Sequence, residues 1–237
     1  MFSLVLPAYN EAERLERCVE VCLHYLDSGD EIIIAEDGST DNTADVGRLL
    51  EKKYNNVTFV HHDDKLGRGG AFRNIISIAK GDRMGFIDVD MATDMKYFPK
   101  LLELSKKYDV VTGSRYIKGA KVDRPGLRFF VSKTYNFLIR LFVGVKVFDA
   151  QCGFKAFSRK FVDEVLVNVE EKTWAWDSVL IVECVKRGYS FMEFPVEWVE
   201  GKDARHSASF GRIFNDVKIH GRVLLQLFLK WRIGLNV

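Results

Sequence analysis

The chain has 237 residues, of which 47% are hydrophobic and 29% are charged, and only 4 are proline. These values exclude a disordered, collagen-like or low-complexity protein, and the length suits one large α/β domain. The four cysteines form no Cys-x-x-Cys pair and have no histidine partners at zinc-ligand spacing. We therefore expect a reduced intracellular setting. Because the first strand-like run begins at Phe2, we expect no signal peptide.

The net charge of +2 hides a strong asymmetry along the chain. Residues 115–160 hold 11 basic and 2 acidic side chains, and residues 201–237 hold 7 basic and 2 acidic ones. This segregation predicts an anionic partner beside the two basic stretches. Nucleic acid is the weaker candidate, because the aromatic residues lie among aliphatic ones rather than along a polar groove. We expect no nucleic-acid partner.

Both basic stretches also carry large apolar residues, but neither has the roughly 20 nearly uncharged residues that a membrane-spanning helix needs. In the first stretch, Arg128, Lys133, Arg140 and Lys146 recur among Phe and Leu. That pattern suits a helix lying in a lipid headgroup layer. A core helix with basic side chains that extend to solvent is the structural alternative.

The first half alternates strand-like and helix-like segments. The predicted order is strand Phe2–Leu6, helix 11–27, strand Glu31–Ala35, helix Thr40–Lys53, strand Val57–Val60, helix Ala71–Lys80, strand Met84–Ile87, helix 95–107 and strand Val110–Thr112. This alternation predicts βαβ units and a mostly parallel sheet, whose ligands bind beyond the carboxyl ends of the strands. The charged turns at Asn10-Glu11, Glu36-Asp37, Asp63-Asp64 and Asp88/Asp90 fall at those ends.

After residue 114 the pattern changes. The basic apolar stretch leads to the segment Gln151–Lys155 and to a predicted helix near 177–187. Two short strands are predicted around Pro195, and a basic helix ends the chain. We expect this half to complete a site that the sheet begins.

The segment Asp88-Val89-Asp90 follows an apolar strand. Two carboxylates so placed can hold one hard cation, and a divalent ion there would offset the charge of a diphosphate. A solvated acidic turn is the alternative, but the position at a strand end favours a metal site.

Asp37 follows the second strand and suits a hydrogen bond to a base or ribose, with helix capping as the alternative. The glycine-rich helix start that includes Gly67 and Gly70 lets backbone approach a phosphate or sugar closely. It lacks the spacing of a P-loop or of a dinucleotide-binding turn. Arg115, Arg128 and Arg205 are candidates for a second phosphate, with a solvated surface arginine as the alternative for each.

Taken together, these residues resemble the inverting, metal-dependent glycosyltransferases of family two, which have the GT-A fold. In the first half the matching segments are VLPAYNE, IIIAEDGSTDNT, LGRGGAFRN, DVD and GSRY. In the second half, DAQCGFKAF, KTWAWDSVLI and VEWVEG are similar to polyprenyl-phosphate hexosyltransferases. The dolichyl-phosphate glucosyltransferases resemble the chain most, and the dolichyl-phosphate mannose synthases come next.

The resemblance implies an α/β fold of the GT-A, Rossmann-like type: a mostly parallel sheet flanked by helices, with amphipathic basic helices in the second half. It implies a single domain over residues 1–237. Residues 1–114 would form the nucleotide-sugar-binding half, residues 115–200 the acceptor-binding half, and residues 201–237 a basic amphipathic C-terminal segment.

The resemblance also implies roles for individual residues. The expected nucleotide-sugar contacts, together with the glycine-rich loop, are Pro7, Tyr9, Glu11, Asp37, Gly67, Gly70 and Asp88. Asp88 and Asp90 would hold a divalent metal, Mg²⁺ or Mn²⁺. Arg115, Arg128 and Arg205 would grip the acceptor phosphate, although relatives continue after Arg205 with Gly-x-Ser-Lys where this chain has Ala208-Ser209-Phe210. The catalytic set is Asp88, Asp90, Arg115 and Arg128.

The implied reaction is metal-dependent, inverting transfer of a hexose from a nucleotide diphosphate sugar to a polyprenyl or dolichyl phosphate. UDP-glucose is the preferred donor and GDP-mannose the next, because Ala92 stands where mannose synthases often have glutamine. A saccharide or protein hydroxyl acceptor would need a base such as Asp177. A sugar-phosphate nucleotidyltransferase and a non-catalytic nucleotide-binding or membrane-surface module are further alternatives.

Relatives often carry membrane helices at one end, and this sequence contains none. The resemblance therefore implies peripheral binding to the cytoplasmic face of a membrane through the two basic apolar segments. A membrane protein or a second copy of the chain is an alternative partner for the same face.

Overall fold

The computed structural model describes residues 1–124, 126–201 and 210–235. Its strands are β1 Phe2–Ala8, β2 Glu31–Asp37, β3 Val57–His62, β4 Arg83–Ile87, β5 Val110–Ser114, β6 Lys121–Asp123, β7 Phe154–Ser158, β8 Phe191–Pro195 and β9 Glu197–Val199. Seven of them form one sheet in the order β3-β2-β1-β4-β7-β5-β8, and β6 pairs with β9 in a small second sheet.

The central sheet is mostly parallel, as the alternating sequence predicts. Strands β1 to β4 pair in parallel, as do β5 and β8, whereas β7 is antiparallel to both β4 and β5. β1 and β2 are buried on both faces and read as nearly continuous apolar runs, which is typical of parallel strands covered by helices.

Helices cover both faces of the sheet. They are α1 Ala12–Tyr25, α2 Thr43–Lys53, α3 Arg68–Ile75, α4 Phe98–Ser105, α5 Gly126–Leu138, α6 Arg159–Glu164, α7 Trp176–Lys186 and α8 Phe210–Phe228. Wider helical turns extend α5 over Ile139–Val143 and α8 over Leu229–Ile233, and short 3₁₀ turns lie at Met95–Tyr97 and Leu166–Asn168. In the described part of the chain, no helix has both the length and the apolar content needed to cross a membrane.

Two apolar cores lie on the two faces of the sheet. Because side chains alternate along a strand, Leu4 and Leu6 of β1 enter one core and Val5 enters the other. Trp176, at the start of α7, is fully buried and its ring lies 5.2 Å from that of Phe72 in α3. The Trp176 core thus fixes α7 and α3 together beneath the carboxyl edge of the sheet.

Helix α3 differs from the prediction, since it begins at Arg68 and ends at Ile75 rather than spanning Ala71–Lys80. Gly67 precedes it with a φ of +77°, a conformation that glycine adopts without steric cost. Gly69 lies inside the helix, and this position requires glycine because a Cβ there would lie 2.2 Å from the carbonyl oxygen of Glu171. Close packing thus explains why the first turn of this helix contains two glycines, although their low helix propensity predicts a start at Ala71.

Strand β7 was not predicted as a strand. Its five residues are all buried between β4 and β5, and they include Lys155, which is fully buried. A charged residue departs from the continuous apolar run that identifies a buried strand in a sequence. β7 is recognised only through its pairing with β4 and β5.

The two basic helices lie side by side. Tyr135 of α5 and His220 of α8 have ring centroids 4.5 Å apart, and farther along Phe142 and Phe228 are 6.2 Å apart. Both helices advance in the same direction along this contact, so they are parallel. His220 also lies 2.7 Å from the side-chain nitrogen of Gln151, which connects α8 to the segment before β7.

Candidate active site

The carboxyl ends of β1, β2 and β4 bring several predicted site residues to one edge of the sheet. Pro7 lies in β1 opposite Ala35 of β2, and Tyr9 and Glu11 follow directly after that strand. Asp37 ends β2, and Asp88 follows β4. This edge is where open α/β sheets bind ligands.

Asp88 is held closely against the loop before β7. Its backbone N–H donates to the carbonyl oxygen of Gly153 at 3.2 Å, and its Oδ1 accepts a hydrogen bond from Arg68 Nη2 at 2.6 Å. A Cβ at residue 153 would lie only 1.9 Å from Asp88 Oδ2, so this position requires glycine. Burial raises the pKa of Asp88 to about 6, against the lowering effect of Arg68.

Asp90 is exposed, and its Oδ1 accepts a hydrogen bond from the backbone N–H of Ala92 at 3.0 Å. Glu11 carries a raised pKa, caused mainly by burial with a contribution from the charge of Asp90, and it forms an ion pair with Arg14 at 2.7 Å. Asp90 and Glu11 therefore bring negative charge from β4 and β1 to the same side of the edge.

The donor set at this edge fits a hard divalent cation. Asp88 is 31% exposed and Asp90 is open to solvent, so both offer carboxylate oxygens. Across the described ranges, no cluster of three or more His, Cys, Asp or Glu side chains forms a complete metal cage. Two carboxylates with remaining positions for water and phosphate oxygens are the pattern that Mg²⁺ uses.

Asp177 of α7 is buried in a network of charges behind Asp88. Its Oδ1 accepts a hydrogen bond from Lys155 Nζ at 2.8 Å, and its Oδ2 accepts one from Arg68 Nη1 at 3.2 Å. Lys155 also donates to the carbonyl oxygen of Cys152. Asp177 is only 1% exposed, so it lacks the access that a base for an incoming hydroxyl requires.

Asp37 binds the glycine-rich loop in this structure. Its carboxylate accepts hydrogen bonds from the backbone N–H groups of Leu66 at 2.6 Å and Gly67 at 3.0 Å. Gly70 packs on Leu66, since a Cβ there would lie 2.8 Å from the leucine Cβ. A base or ribose contact for Asp37 stays a prediction; the observed role is to hold the loop that begins α3.

Tyr9 presents a half-exposed ring at the same edge. Its side chain is 39% exposed, and the Nζ of Lys65 lies 3.3 Å from its ring centroid. An aromatic face beside the glycine-rich loop suits stacking with a planar base, in the place where the sequence predicted a nucleotide contact.

Arg115 has a different environment from the one expected. Its backbone N–H, Nε and Nη2 all donate to the carboxylate of Asp149, at 2.9, 2.7 and 2.8 Å. Arg115 is 7% exposed and Asp149 is fully buried. Burial raises the pKa of Asp149, but the charge and hydrogen bonds of Arg115 lower it by more. The pKa of Asp149 therefore lies below its ordinary value. The observed role of Arg115 is a buried ion pair with Asp149, and its contact with an acceptor phosphate stays a prediction.

Arg128, at the start of α5, lies in an arginine cluster that we define as Arg115, Arg124, Arg128, Trp198 and Glu200. Arg128 Nη1 and Arg124 Nε lie 2.5 and 3.3 Å from Glu200 Oε1. The guanidinium carbons of Arg115 and Arg124 lie 5.4 and 5.3 Å from the Trp198 ring centroid. Burial and the charge of Arg115 lower the pKa of Arg124. Arg205, the third predicted phosphate ligand, lies outside the described residues.

Backbone hydrogen bonds join the arginine cluster to the acidic edge, which we define as Glu11, Asp88 and Asp90 at the carboxyl ends of β1 and β4. Val199 donates to the carbonyl oxygen of Ala92 at 2.8 Å, and Asp94 donates to that of Glu197 at 3.0 Å. β9 therefore bonds the turn that follows Asp90 on one side and β6 on the other. β9 thus connects the arginine cluster to the turn after Asp90.

The sequence profile of glycosyl transferase family 2 matches residues 3–166. This chain belongs to that family. The match covers the whole acidic edge, the start of α5 and all of β7.

Among the relatives of this family 2 chain is glycosyltransferase AglD of Haloferax volcanii, which is 40% identical over 210 residues. That alignment covers 86% of this chain and 34% of AglD. A dolichyl-phosphate beta-glucosyltransferase of Trichomonas vaginalis, ALG5A, is 32% identical over 212 residues, covering 84% of this chain and 65% of the relative. The chain thus spans about a third of one relative and just under two thirds of the other.

The family 2 fold is also seen in solved structures. Glucosyl-3-phosphoglycerate synthase from Mycobacterium tuberculosis, in complex with Mn²⁺ and UDP-glucose, has a TM-score of 0.72 at 17% identity. The match covers all of this chain and 80% of that protein. It confirms the predicted GT-A fold.

Sequence reasoning about this family 2 chain missed several site residues. Arg124, Trp198 and Glu200 become neighbours only when β6 pairs with β9. The signal available was the segment VEWVEG, which the resemblance included without a role for any residue. Gly153 was likewise inside a quoted segment, and its closeness to Asp88 explains it. Lys155 was an ambiguous candidate from the sequence, and its pairing with Asp177 gives it a place.

Proposed function

We propose that this chain transfers a hexose, with inversion, from a nucleotide diphosphate sugar to a polyprenyl phosphate such as dolichyl phosphate. The observation that carries the proposal is the pair of carboxylates Asp88 and Asp90 at the carboxyl edge of the sheet, to which β9 connects the arginine cluster through backbone hydrogen bonds. UDP-glucose is the proposed donor, in line with the glucosyltransferase relatives. GDP-mannose is the second candidate donor.

The acceptor is proposed to be a phosphate rather than a hydroxyl. A phosphate oxygen is already anionic near neutral pH and needs no base, whereas a hydroxyl acceptor does. Asp177, the base that sequence reasoning offered, is buried and paired with Lys155 and Arg68. Catalysis then depends on holding the acceptor oxygen in line with the anomeric carbon and on stabilising the departing diphosphate.

In this mechanism Asp88 and Asp90 are the residues that would hold a divalent cation, Mg²⁺ or Mn²⁺. Such a cation supplies charge compensation for the leaving diphosphate. Tyr9 and the glycine-rich loop would position the nucleotide, and Arg128 would orient the acceptor phosphate through its forked guanidinium.

The acceptor class is tested by comparing polyprenyl phosphate with the free polyprenol of the same length. We expect label from UDP-glucose to enter the organic phase with the phosphate and not with the alcohol. Equal transfer to the alcohol would contradict the proposed acceptor and would direct attention to a base.

Replacing Arg128 with alanine is expected to raise the KM for polyprenyl phosphate by about tenfold or more, since hydrogen bonds to charged groups contribute roughly 1.5–3 kcal/mol. The KM for the nucleotide sugar should change little. Steady-state kinetics with each substrate varied in turn measures the split. Lys52→Ala, which removes an exposed basic residue of α2, is the control. Equal effects on both substrates would contradict the role of Arg128.

The exposed face of α5 is proposed to contact the membrane that holds the lipid acceptor. Its apolar side chains Leu127, Phe130, Phe137 and Leu141 are between 52% and 68% exposed and recur at helical spacing. Phe214, Val217 and Leu225 of α8 are similarly exposed, and basic residues lie among both sets. An apolar stripe with flanking lysine and arginine suits an anionic leaflet, which we take to be the cytoplasmic one.

The double variant Phe130→Ser/Leu141→Ser is expected to bind vesicles containing phosphatidylserine at least about tenfold more weakly, because each apolar side chain loses its burial in the bilayer. Co-sedimentation with vesicles measures the binding. Leu49→Ser serves as the control, since Leu49 is 65% exposed on α2. Binding that stays at the wild-type level would remove α5 from the membrane contact.

A further inference from the structure

Arg68 places a positive charge at the carboxylate that the proposed cation would need. Its side chain is 15% exposed and bridges Asp88 and Asp177 through two different nitrogens, at 2.6 and 3.2 Å. In the described part of the chain, the ion pair of Asp88 is the one with Arg68. The resemblance gave Arg68 no role, although it lies within a quoted segment.

The surroundings of Arg68 offer it a second set of partners. Its guanidinium carbon lies 4.5 Å from the ring centroid of Trp174, which is 60% exposed, and 5.1 Å from that of Phe86. Asp177 is also held by Lys155 at 2.8 Å. If Arg68 leaves Asp88, Asp177 and Trp174 still stabilise the guanidinium, so its departure does not strand a buried charge.

We infer that Arg68 is a positioning residue that competes with a divalent cation for Asp88. A guanidinium and a metal ion cannot both approach the same carboxylate oxygen closely, because their charges repel at that distance. Cation binding therefore moves Arg68 away from Asp88, and the guanidinium keeps the partners Asp177 and Trp174 that it already contacts.

This inference rests on the proposed metal site at Asp88 and Asp90, and the first test measures Mn²⁺ binding directly rather than transfer. Binding of Mn²⁺ alone is followed by electron paramagnetic resonance in the full chain. Arg68→Gln is expected to bind Mn²⁺ about tenfold more tightly than wild type, which corresponds to about 1.4 kcal/mol. Arg73→Gln removes a positive charge from the same helix without touching the carboxylates, and it should bind as wild type does.

The second test follows the movement of Arg68 itself. Addition of Mg²⁺ is expected to change the tryptophan emission of the wild-type protein, because the Arg68 guanidinium that is stacked on Trp174 shifts. Trp174→Phe should lose that change, and so should Arg68→Gln. Arg68→Lys keeps the charge but cannot fork to two carboxylates, so its Mn²⁺ affinity should lie between those of wild type and Arg68→Gln. Circular dichroism checks that each variant is folded.

The outcomes separate this inference from the metal proposal. Asp90→Asn should abolish Mn²⁺ binding; if binding persists there, the proposed metal site itself is wrong. If Asp90→Asn abolishes binding but Arg68→Gln binds Mn²⁺ no more tightly than Arg73→Gln, only the competition by Arg68 is overturned. Tryptophan emission that is the same with and without Mg²⁺ would also overturn the movement of Arg68.

Discussion

Replacing Asp90 with alanine is expected to lower hexose transfer by about a hundredfold to a thousandfold, the cost of losing one group that stabilises developing charge. Asp90 is exposed, and its described hydrogen bond is to the backbone of Ala92. Its removal should therefore leave the free energy of unfolding nearly unchanged. Initial rates of lipid product and a urea titration of the same preparation measure the two quantities.

The control for this variant is Asp45→Ala, which removes an exposed carboxylate of α2 that is paired with Arg48. It should transfer at the wild-type rate. Wild-type turnover in Asp90→Ala would remove Asp90 from the mechanism. A large fall in the free energy of unfolding of Asp90→Ala would instead give Asp90 a structural role.

Replacing Asp149 with alanine is expected to destabilise the fold by about 3–5 kcal/mol, because it leaves Arg115 buried without its partner. Three hydrogen bonds to Arg115 would be lost, and both side chains are almost completely enclosed. Urea unfolding at pH 7 measures the change. The double variant Arg115→Met/Asp149→Leu removes both charges and should recover part of the loss.

The same pair predicts how stability depends on pH. The pKa of Asp149 is lower in the folded chain than the ordinary value, because the charge and hydrogen bonds of Arg115 outweigh burial. Its contribution is therefore present above the unfolded pKa of about 3.9 and is lost as pH falls through the folded value. The stability gap between wild type and Asp149→Ala should narrow in acid. A gap that is constant with pH, or below about 1 kcal/mol at pH 7, would contradict the buried ion pair.

The parallel core of the fold could be predicted from the sequence because each element carries its own local signal. β1, β2 and β4 are apolar runs followed by charged turns, and α1 has apolar residues at helical spacing. β7 could not be predicted in this way. Its burial depends on antiparallel pairing with β4 and β5, and Lys155 within it is stabilised by Asp177, which is distant in sequence.

The site shows the same division. Asp88 and Asp90 could be predicted as a candidate metal site because a strand end and two carboxylates are adjacent in sequence. The pairing of Arg115 with Asp149 could not be predicted, since sequence spacing does not reveal which anion a buried arginine meets. Arg124 and Trp198 were missed for a similar reason: they meet only through the pairing of β6 with β9.

The most direct test of the proposed function is a transfer assay with the purified chain, a short polyprenyl phosphate and labelled UDP-glucose or GDP-mannose. Each donor is supplied with Mg²⁺ or Mn²⁺ and again with a chelator, and label in the organic phase is counted. We predict lipid product from UDP-glucose that the chelator abolishes. Metal-dependent hydrolysis of the donor without lipid product would contradict the polyprenyl-phosphate acceptor, and lipid product that persists in the chelator would contradict the metal site at Asp88 and Asp90.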